Sequence, residues 1–187
     1  MLDLGTEAPD FSLPDVVTGR SISPAAYKDS PALLVMFICR HCPYVKHVQS
    51  ELSVLGAEYQ QRGVGIIAIS SNDASTHPED APGSLKAMAQ ELGFTFPLCY
   101  DESQAVAKAY AAACTPDFFV FDRDRRLAYR GQLDDSRPKS DRPVTGSDLR
   151  AALDAVLAGR PASTEQTPSM GCNIKWKPGN EPQYFKG

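Results

Sequence analysis

An unbroken apolar run, Ala32-Leu33-Leu34-Val35-Met36-Phe37-Ile38, ends in Cys39-Arg40-His41-Cys42-Pro43, and a helical pattern follows. A strand with no polar face must be covered on both sides, so this run belongs at the centre of a sheet between two other layers. From Cys42 to Arg62 the apolar positions Val45, Val48, Leu52, Leu55 and Tyr59 recur at helical spacing. The C-x-x-C spacing therefore puts both cysteines at the first turn of a helix. Unpaired N–H groups and the helix dipole favour a thiolate there, on the first cysteine, Cys39. A cysteine pair so placed can open and close a disulfide reversibly.

The same alternation continues along the chain. Gly65 to Ser70 is a second buried strand, and Ser84 to Leu92 a helix with Leu85, Met88 and Leu92 on one face. Phe96 to Tyr100 is a short strand that Pro97 pushes toward an edge. Ser103 to Ala113 is helical, and Asp117 to Phe121 pairs with Leu127 to Gln132 across a turn at Asp122-Arg123-Asp124-Arg125. Ser147 to Leu157 is a last helix, capped by Ser147 or Thr145 and stopped by Gly159. Near the start, Phe11-Ser12-Leu13 and Arg20-Ser21-Ile22 predict a small β-hairpin. This order predicts an α/β fold with a mixed central sheet and helices on both faces. Ligands on such sheets lie beyond the carboxyl ends of the parallel strands, which makes Cys39 and Ser71-Asn72-Asp73 neighbours. Residues 1–159 form one domain. The composition changes in residues 160–187, an extended tail in which Ile174 and the single tryptophan, Trp176, are expected to pack back on the domain.

Composition narrows the chemistry. The 187 residues carry a net charge of −4 with no basic cluster, which argues against nucleic acid or an anionic membrane as a partner. No apolar run approaches the ~20 residues of a membrane span. The opening Met1-Leu2-Asp3-Leu4-Gly5-Thr6-Glu7 lacks the basic and apolar regions of a signal peptide, so the expected location is cytoplasmic. Five cysteines, an odd number in a reducing compartment, argue against a structural disulfide framework. Cys99 and Cys114 are read as packed thiols, although Cys114 directly precedes Thr115-Pro116 and could approach the pair. Cys172 is either a buried anchor for the tail or a third redox thiol. Zinc would need a second cysteine pair; His41 between the cysteines and His47 on the same helix do not replace one, and no metal or cofactor is expected. Lys46 reads as a solvated helix residue. Asp73 and His77, in the long polar loop from Ser71 to Gly83, either border the site or lie on plain surface.

Thr115-Pro116, directly before the strand Asp117-Phe118-Phe119-Val120-Phe121, completes a pattern that resembles the thioredoxin fold. More narrowly, residues 5 to 158 resemble its redoxin branch, which includes the alkyl hydroperoxide reductase/thiol-specific antioxidant family; the opening Gly5-Thr6-Glu7-Ala8-Pro9-Asp10-Phe11-Ser12-Leu13-Pro14 is similar to that branch's usual start. The tail segment Gly171-Cys172-Asn173-Ile174-Lys175-Trp176 resembles that of bacterial thioredoxin-family proteins with the same cysteine motif. The resemblance implies a thioredoxin-like three-layer α/β/α sandwich, with a cis-proline at Pro116 facing the cysteines and Thr115 beside it. It implies a thiol–disulfide oxidoreductase acting on disulfide-containing protein partners together with a thiol reductant. In that reading Cys39 attacks, the more buried Cys42 resolves, and the charges of Arg40 and His41 lower the Cys39 pKa. The alternatives are a peroxiredoxin-like thiol peroxidase and a redox-sensing binding module. Departures from the family patterns bear on the choice: Met36 stands where peroxiredoxins carry a Thr or Ser three residues before the reactive cysteine, and Ile38 stands where thioredoxins carry a Trp. Nor does the stretch from Leu33 to Ile38 hold the buried carboxylate of thioredoxins.

Overall fold

The computed structural model describes residues 2–185. Its elements in chain order are β1 (Leu13–Pro14), β2 (Ser21–Ile22), β3 (Leu33–Phe37), α1 (Pro43–Gln61), β4 (Gly65–Ser70), α2 (Pro82–Glu91), β5 (Leu98–Tyr100), α3 (Ala105–Ala109), β6 (Cys114–Thr115), β7 (Asp117–Phe121), β8 (Leu127–Gly131), α4 (Ser147–Leu157) and β9 (Cys172–Asn173). β1 and β2 make the N-terminal hairpin. Five strands form a mixed sheet in the order β5-β4-β3-β7-β8, with β3, β4 and β5 parallel and β7 and β8 antiparallel.

Strand β3 is buried on both faces because its alternate side chains enter different cores. Leu34, Met36 and Ile38 join Ile66, Ala68, Phe118 and Val120 in a layer with residues of α1, α2 and α4. Leu33, Val35 and Phe37 join Ile67, Ile69, Phe119 and Phe121 in a layer with α3, the N-terminal segment and the tail. Burying each such side chain contributes about 1.5–3 kcal/mol, which is why a polar residue anywhere in β3 would be costly. Tyr110 fills the second core edge-on against Phe37 and Phe119, at 5.6 Å from each. The result is the thioredoxin-like α/β/α sandwich.

Two expectations are corrected in detail. The helix expected over Ser103 to Ala113 shortens to α3, because Gln104 (φ 62°) and Ala111 (φ 48°) adopt left-handed backbone at its two ends. The Gln104 side chain is committed elsewhere: Nε2 donates to the Ser71 and Lys175 carbonyls at 2.7 and 2.9 Å, and Oε1 accepts the Lys177 N–H at 2.9 Å. Tertiary contacts override the Ala-rich helix propensity there. Likewise, neither Ser147 nor Thr145 occupies the N-cap of α4. Gly146 does, with φ 68°, while the amides of Thr145 and Gly146 both donate to Asp134 at 2.7 Å. The left-handed turn that aims both amides at one carboxylate suits glycine.

The tail lies against the domain. β9 pairs antiparallel with β6, with Cys172 opposite Thr115 and Asn173 opposite Cys114. Lys175 donates its N–H to Asn72 Oδ1 and accepts the Asp73 N–H, both at 2.8 Å. Ile174 and Trp176 are buried in the second core.

Candidate redox site

Chain geometry at the end of β3 follows from its sequence. The last sheet bond there runs from the Ile38 N–H to the Ile69 carbonyl at 2.9 Å. Pro43 then starts α1 at the position where its missing N–H costs nothing, and Cys42 becomes the N-cap, with φ −67° and ψ 125°. Cys39, Arg40 and His41 form the bend between strand and helix. From the other side, the register of β3 with β7 sets Phe37 opposite Asp117, so Thr115 and Pro116 lie beside the bend. The Thr115–Pro116 peptide is cis.

Thr115 joins the two sulfurs. Cys39 Sγ lies 3.2 Å from Thr115 Oγ1, and the Cys42 S–H donates to the Thr115 carbonyl at 3.3 Å. Cys39 and Cys42 are 0% exposed, and neither is part of the helix proper. This corrects the expectation that both cysteines sit on the first helical turn with Cys42 the more buried. It also moves the charge. The Cys39 thiol hydrogen-bonds to Cys42 and holds the Cys42 ionisation well below the ordinary thiol range, helped by the Cys172 thiol and by the amides of Val45 and Cys172. Cys39 is pushed up by that same bond, by burial and by the charge of Asp80. The two thiols titrate as a pair, with ionisation favoured at Cys42 beside the helix N-terminus and disfavoured at Cys39; while Cys42 is protonated its S–H donates to Thr115.

The cations expected beside Cys39 are engaged elsewhere. The Arg40 guanidinium turns away to the Ser84 carbonyl at 2.6 Å and to Glu91 at 3.0 Å. His41 Nδ1 is 2.5 Å from Asp80 Oδ2, and its ring lies 4.9 Å from that of His77 at a tilt of 35°. Lys46 is exposed on α1. Asp73 closes a local turn by accepting from Ser75.

Asp80 is the site residue that the sequence analysis missed. Fully buried, it accepts the Arg40 N–H at 2.7 Å, the His41 N–H at 3.2 Å and the Asn72 side-chain amide at 2.8 Å, besides facing the His41 ring. It thereby pins the Cys39–Cys42 bend to the loop after β4. The position of that loop at the carboxyl end of β4 was the available signal; nothing local marks Asp80 among its acidic neighbours. Cys39, His41 and Asp80 also form a group whose ligand-type atoms lie within 4.8 Å of one another. His41 and Asp80 are bonded to each other, so the trio as arranged is suited to moving a proton.

Among the remaining thiols, Cys99 is buried and pushed up to about 12 by burial and by Asp15. Cys114 is buried, contacts the Pro116 carbonyl at 3.8 Å, and is also held up by burial. Cys172 is half-buried against the core that contains both site cysteines.

The fold is shared with known proteins. A crystal structure of an uncharacterized conserved protein from Geobacillus kaustophilus superposes with a TM-score of 0.93 at 56% identity, over 95% of this chain and 94% of that one. A thiol:disulfide interchange protein of the thioredoxin family from Chlorobium tepidum TLS superposes with a TM-score of 0.63 at 18% identity over 84% and 99%, which shows a shared fold. The thiol-disulfide oxidoreductase ResA of Geobacillus thermodenitrificans (strain NG80-2) is 27% identical over 126 residues, 66% of each protein. The chain thus spans about two thirds of the length of that curated relative. These likenesses support a redox function. Residues 4–130 match the model of the AhpC/TSA family, and the chain belongs to that family, in the redoxin branch of the thioredoxin superfamily.

Proposed function

We propose that this protein is a thiol–disulfide oxidoreductase that reduces or exchanges disulfides in partner proteins through Cys39 and Cys42. The observation that carries the reading is the convergence of both sulfurs on Thr115, at 3.2 and 3.3 Å. Ionisation of one thiol of the pair below the ordinary thiol range makes a nucleophile available near neutral pH. Cys39 is the attacking sulfur. Cys42, and the Asp80 carboxylate within 4.8 Å of the Cys39 sulfur, are the groups placed nearest its proton. The Cys39 thiolate attacks one sulfur of the partner disulfide, and the partner's other sulfur leaves and takes a proton. Cys42 then attacks the mixed disulfide at Cys39, which releases the second partner thiol and leaves a Cys39–Cys42 disulfide. A thiol reductant returns two electrons and restores the pair. Five cysteines with no framework pairing suit a reducing, cytoplasmic setting.

The peroxidase alternative gains from one contact. Met36 offers no hydroxyl, but the Thr115 hydroxyl meets Cys39 from the opposite strand. Peroxide would convert Cys39 to a sulfenic acid with release of water, and Cys42 would condense with it with loss of a second water. Insulin reduction and peroxide consumption measured side by side separate the two, with Cys39→Ser as the control. Disulfide turnover should be the faster reaction and should vanish in the variant. Peroxide consumption at the rate of efficient peroxidases, with no insulin reduction, would overturn the assignment.

A further inference from the structure

The oxidoreductase reading leaves a physical difficulty. Both sulfurs of the pair are enclosed, with Cys39 and Cys42 each at 0% exposure. A partner disulfide has to reach a sulfur to exchange with it. Cys172, half-buried, is the thiol beside Cys42 that has access to solvent.

Cys172 is held there by more than one device. It sits directly opposite Thr115 in the β6–β9 ladder, and Thr115 is the residue that both site cysteines contact. Opposed residues in such a ladder have Cα atoms about 4.5–5.5 Å apart. Gly171 makes the approach possible: a Cβ there would overlap the Thr115 carbonyl. On the far side, the backbone of Lys175 is clamped between Asn72 and Asp73, and Asn72 is itself a partner of Asp80. The tail is therefore fixed to the loops that form the redox site, with Cys172 at the junction.

We propose that Cys172 is a relay thiol, which carries the disulfide between the enclosed Cys39–Cys42 pair and a partner outside. The proposal rests on the oxidoreductase reading and changes one step of it: the partner meets Cys172 instead of Cys39, and the Cys39–Cys42 disulfide remains the form in which the pair is oxidised. In the oxidised protein the Cys172 thiolate attacks Cys42 Sγ. The Cys39–Cys42 bond breaks, a Cys42–Cys172 bond forms, and Cys39 leaves as a thiolate that takes up the proton given up by Cys172. No external oxidant is consumed. A partner thiolate then attacks Cys172, Cys42 leaves, and a second partner thiol releases Cys172, so that the partner is oxidised and the protein is reduced by two electrons. Reduction of a partner disulfide is the same sequence in reverse. The electrostatics favour the first step. In the reduced protein, burial and the neighbouring Cys42 sulfur hold the Cys172 thiol up. Once Cys42 is in a disulfide its charge is gone, and that part of the penalty is lifted, which increases the thiolate fraction available to attack.

Arg40, Lys46 and Lys175 are tryptic cleavage points that put Cys39, Cys42 and Cys172 on separate peptides. Wild type and Cys39→Ser are oxidised with diamide, quenched in acid and mapped without reduction. Wild type should give mainly the Cys39–Cys42 link with a minor Cys42–Cys172 species, and Cys39→Ser should give an intramolecular Cys42–Cys172 link. Wild type that forms no Cys39–Cys42 link overturns the oxidoreductase reading. Wild type that forms it while Cys39→Ser links Cys42 to Cys114, or to nothing, overturns the relay alone. Independently, oxidised Cys172→Ser should be reduced by dithiothreitol at least tenfold more slowly than oxidised wild type. Equal rates would also overturn the relay, whether or not Cys39→Ser folds.

Discussion

Replacing Asp117 by Asn should change how stability responds to pH, in a direction the structure dictates. Asp117 opens β7 immediately after Pro116 and is buried, and its Oδ1 has no hydrogen-bond partner among the described residues. Burial pushes its carboxyl up to about 7, against the contrary effects of Ser169 and of the Ala113 and Phe118 amides. In the unfolded chain the same group titrates near 3.9. Between about pH 4 and pH 7 the folded protein therefore holds a proton that the unfolded chain has released, so folding stability contributed by this group falls as pH rises through that window. The full difference corresponds to about 4 kcal/mol at pH above 8, or roughly 10 °C in Tm for a chain of this size. The shared thiolate of Cys42 has the opposite slope, because there the folded protein is the one that releases its proton early. The quantity to measure is therefore the difference in Tm between Asp117→Asn and wild type, from which the thiols cancel. Differential scanning calorimetry from pH 4.5 to 8.5 should show the variant gaining on wild type steadily as pH rises. A difference that stays flat within about 2 °C would refute a neutral buried Asp117.

Two further outcomes follow from the site. Thiolate absorbance in the far ultraviolet should report one thiolate in the reduced protein well below the free-thiol value of about 8.5, and Cys42→Ser should remove it; a signal that survives in Cys42→Ser and is lost in Cys39→Ser would return the charge to the first cysteine. Gly171→Ala should destabilise by roughly 1–3 kcal/mol through overlap with backbone that has no room to give, and should shift Trp176 emission to the red as the tail lifts; unchanged emission with a stability change under about 0.5 kcal/mol would show that the close approach is not needed.

Local and periodic information was enough for the frame. An apolar run with no polar face demands a covered central strand, and the apolar spacing from Cys42 to Arg62 demands a helix directly after it. The family likeness carried by the opening segment, the C-x-x-C-P bend and Thr115-Pro116 supplied the rest of the α/β/α order. Those features depend on neighbours a few residues apart, which a sequence displays directly. Where the proton sits, and which charges face the sulfurs, depended on residues far apart in the chain. Arg40 reads as a cation beside Cys39, but Glu91 and the Ser84 carbonyl draw it away. Asp80 carries no local signal in the sequence, but the fold buries it against Arg40, His41 and Asn72 as the shared acceptor of the bend. Cys172 reads either as a buried anchor for the tail or as a third redox thiol, and strand pairing with Thr115 places it half-buried beside the pair. Coulomb energies and hydrogen bonds are set by distance and burial, and for residues on different elements only the folded chain defines either.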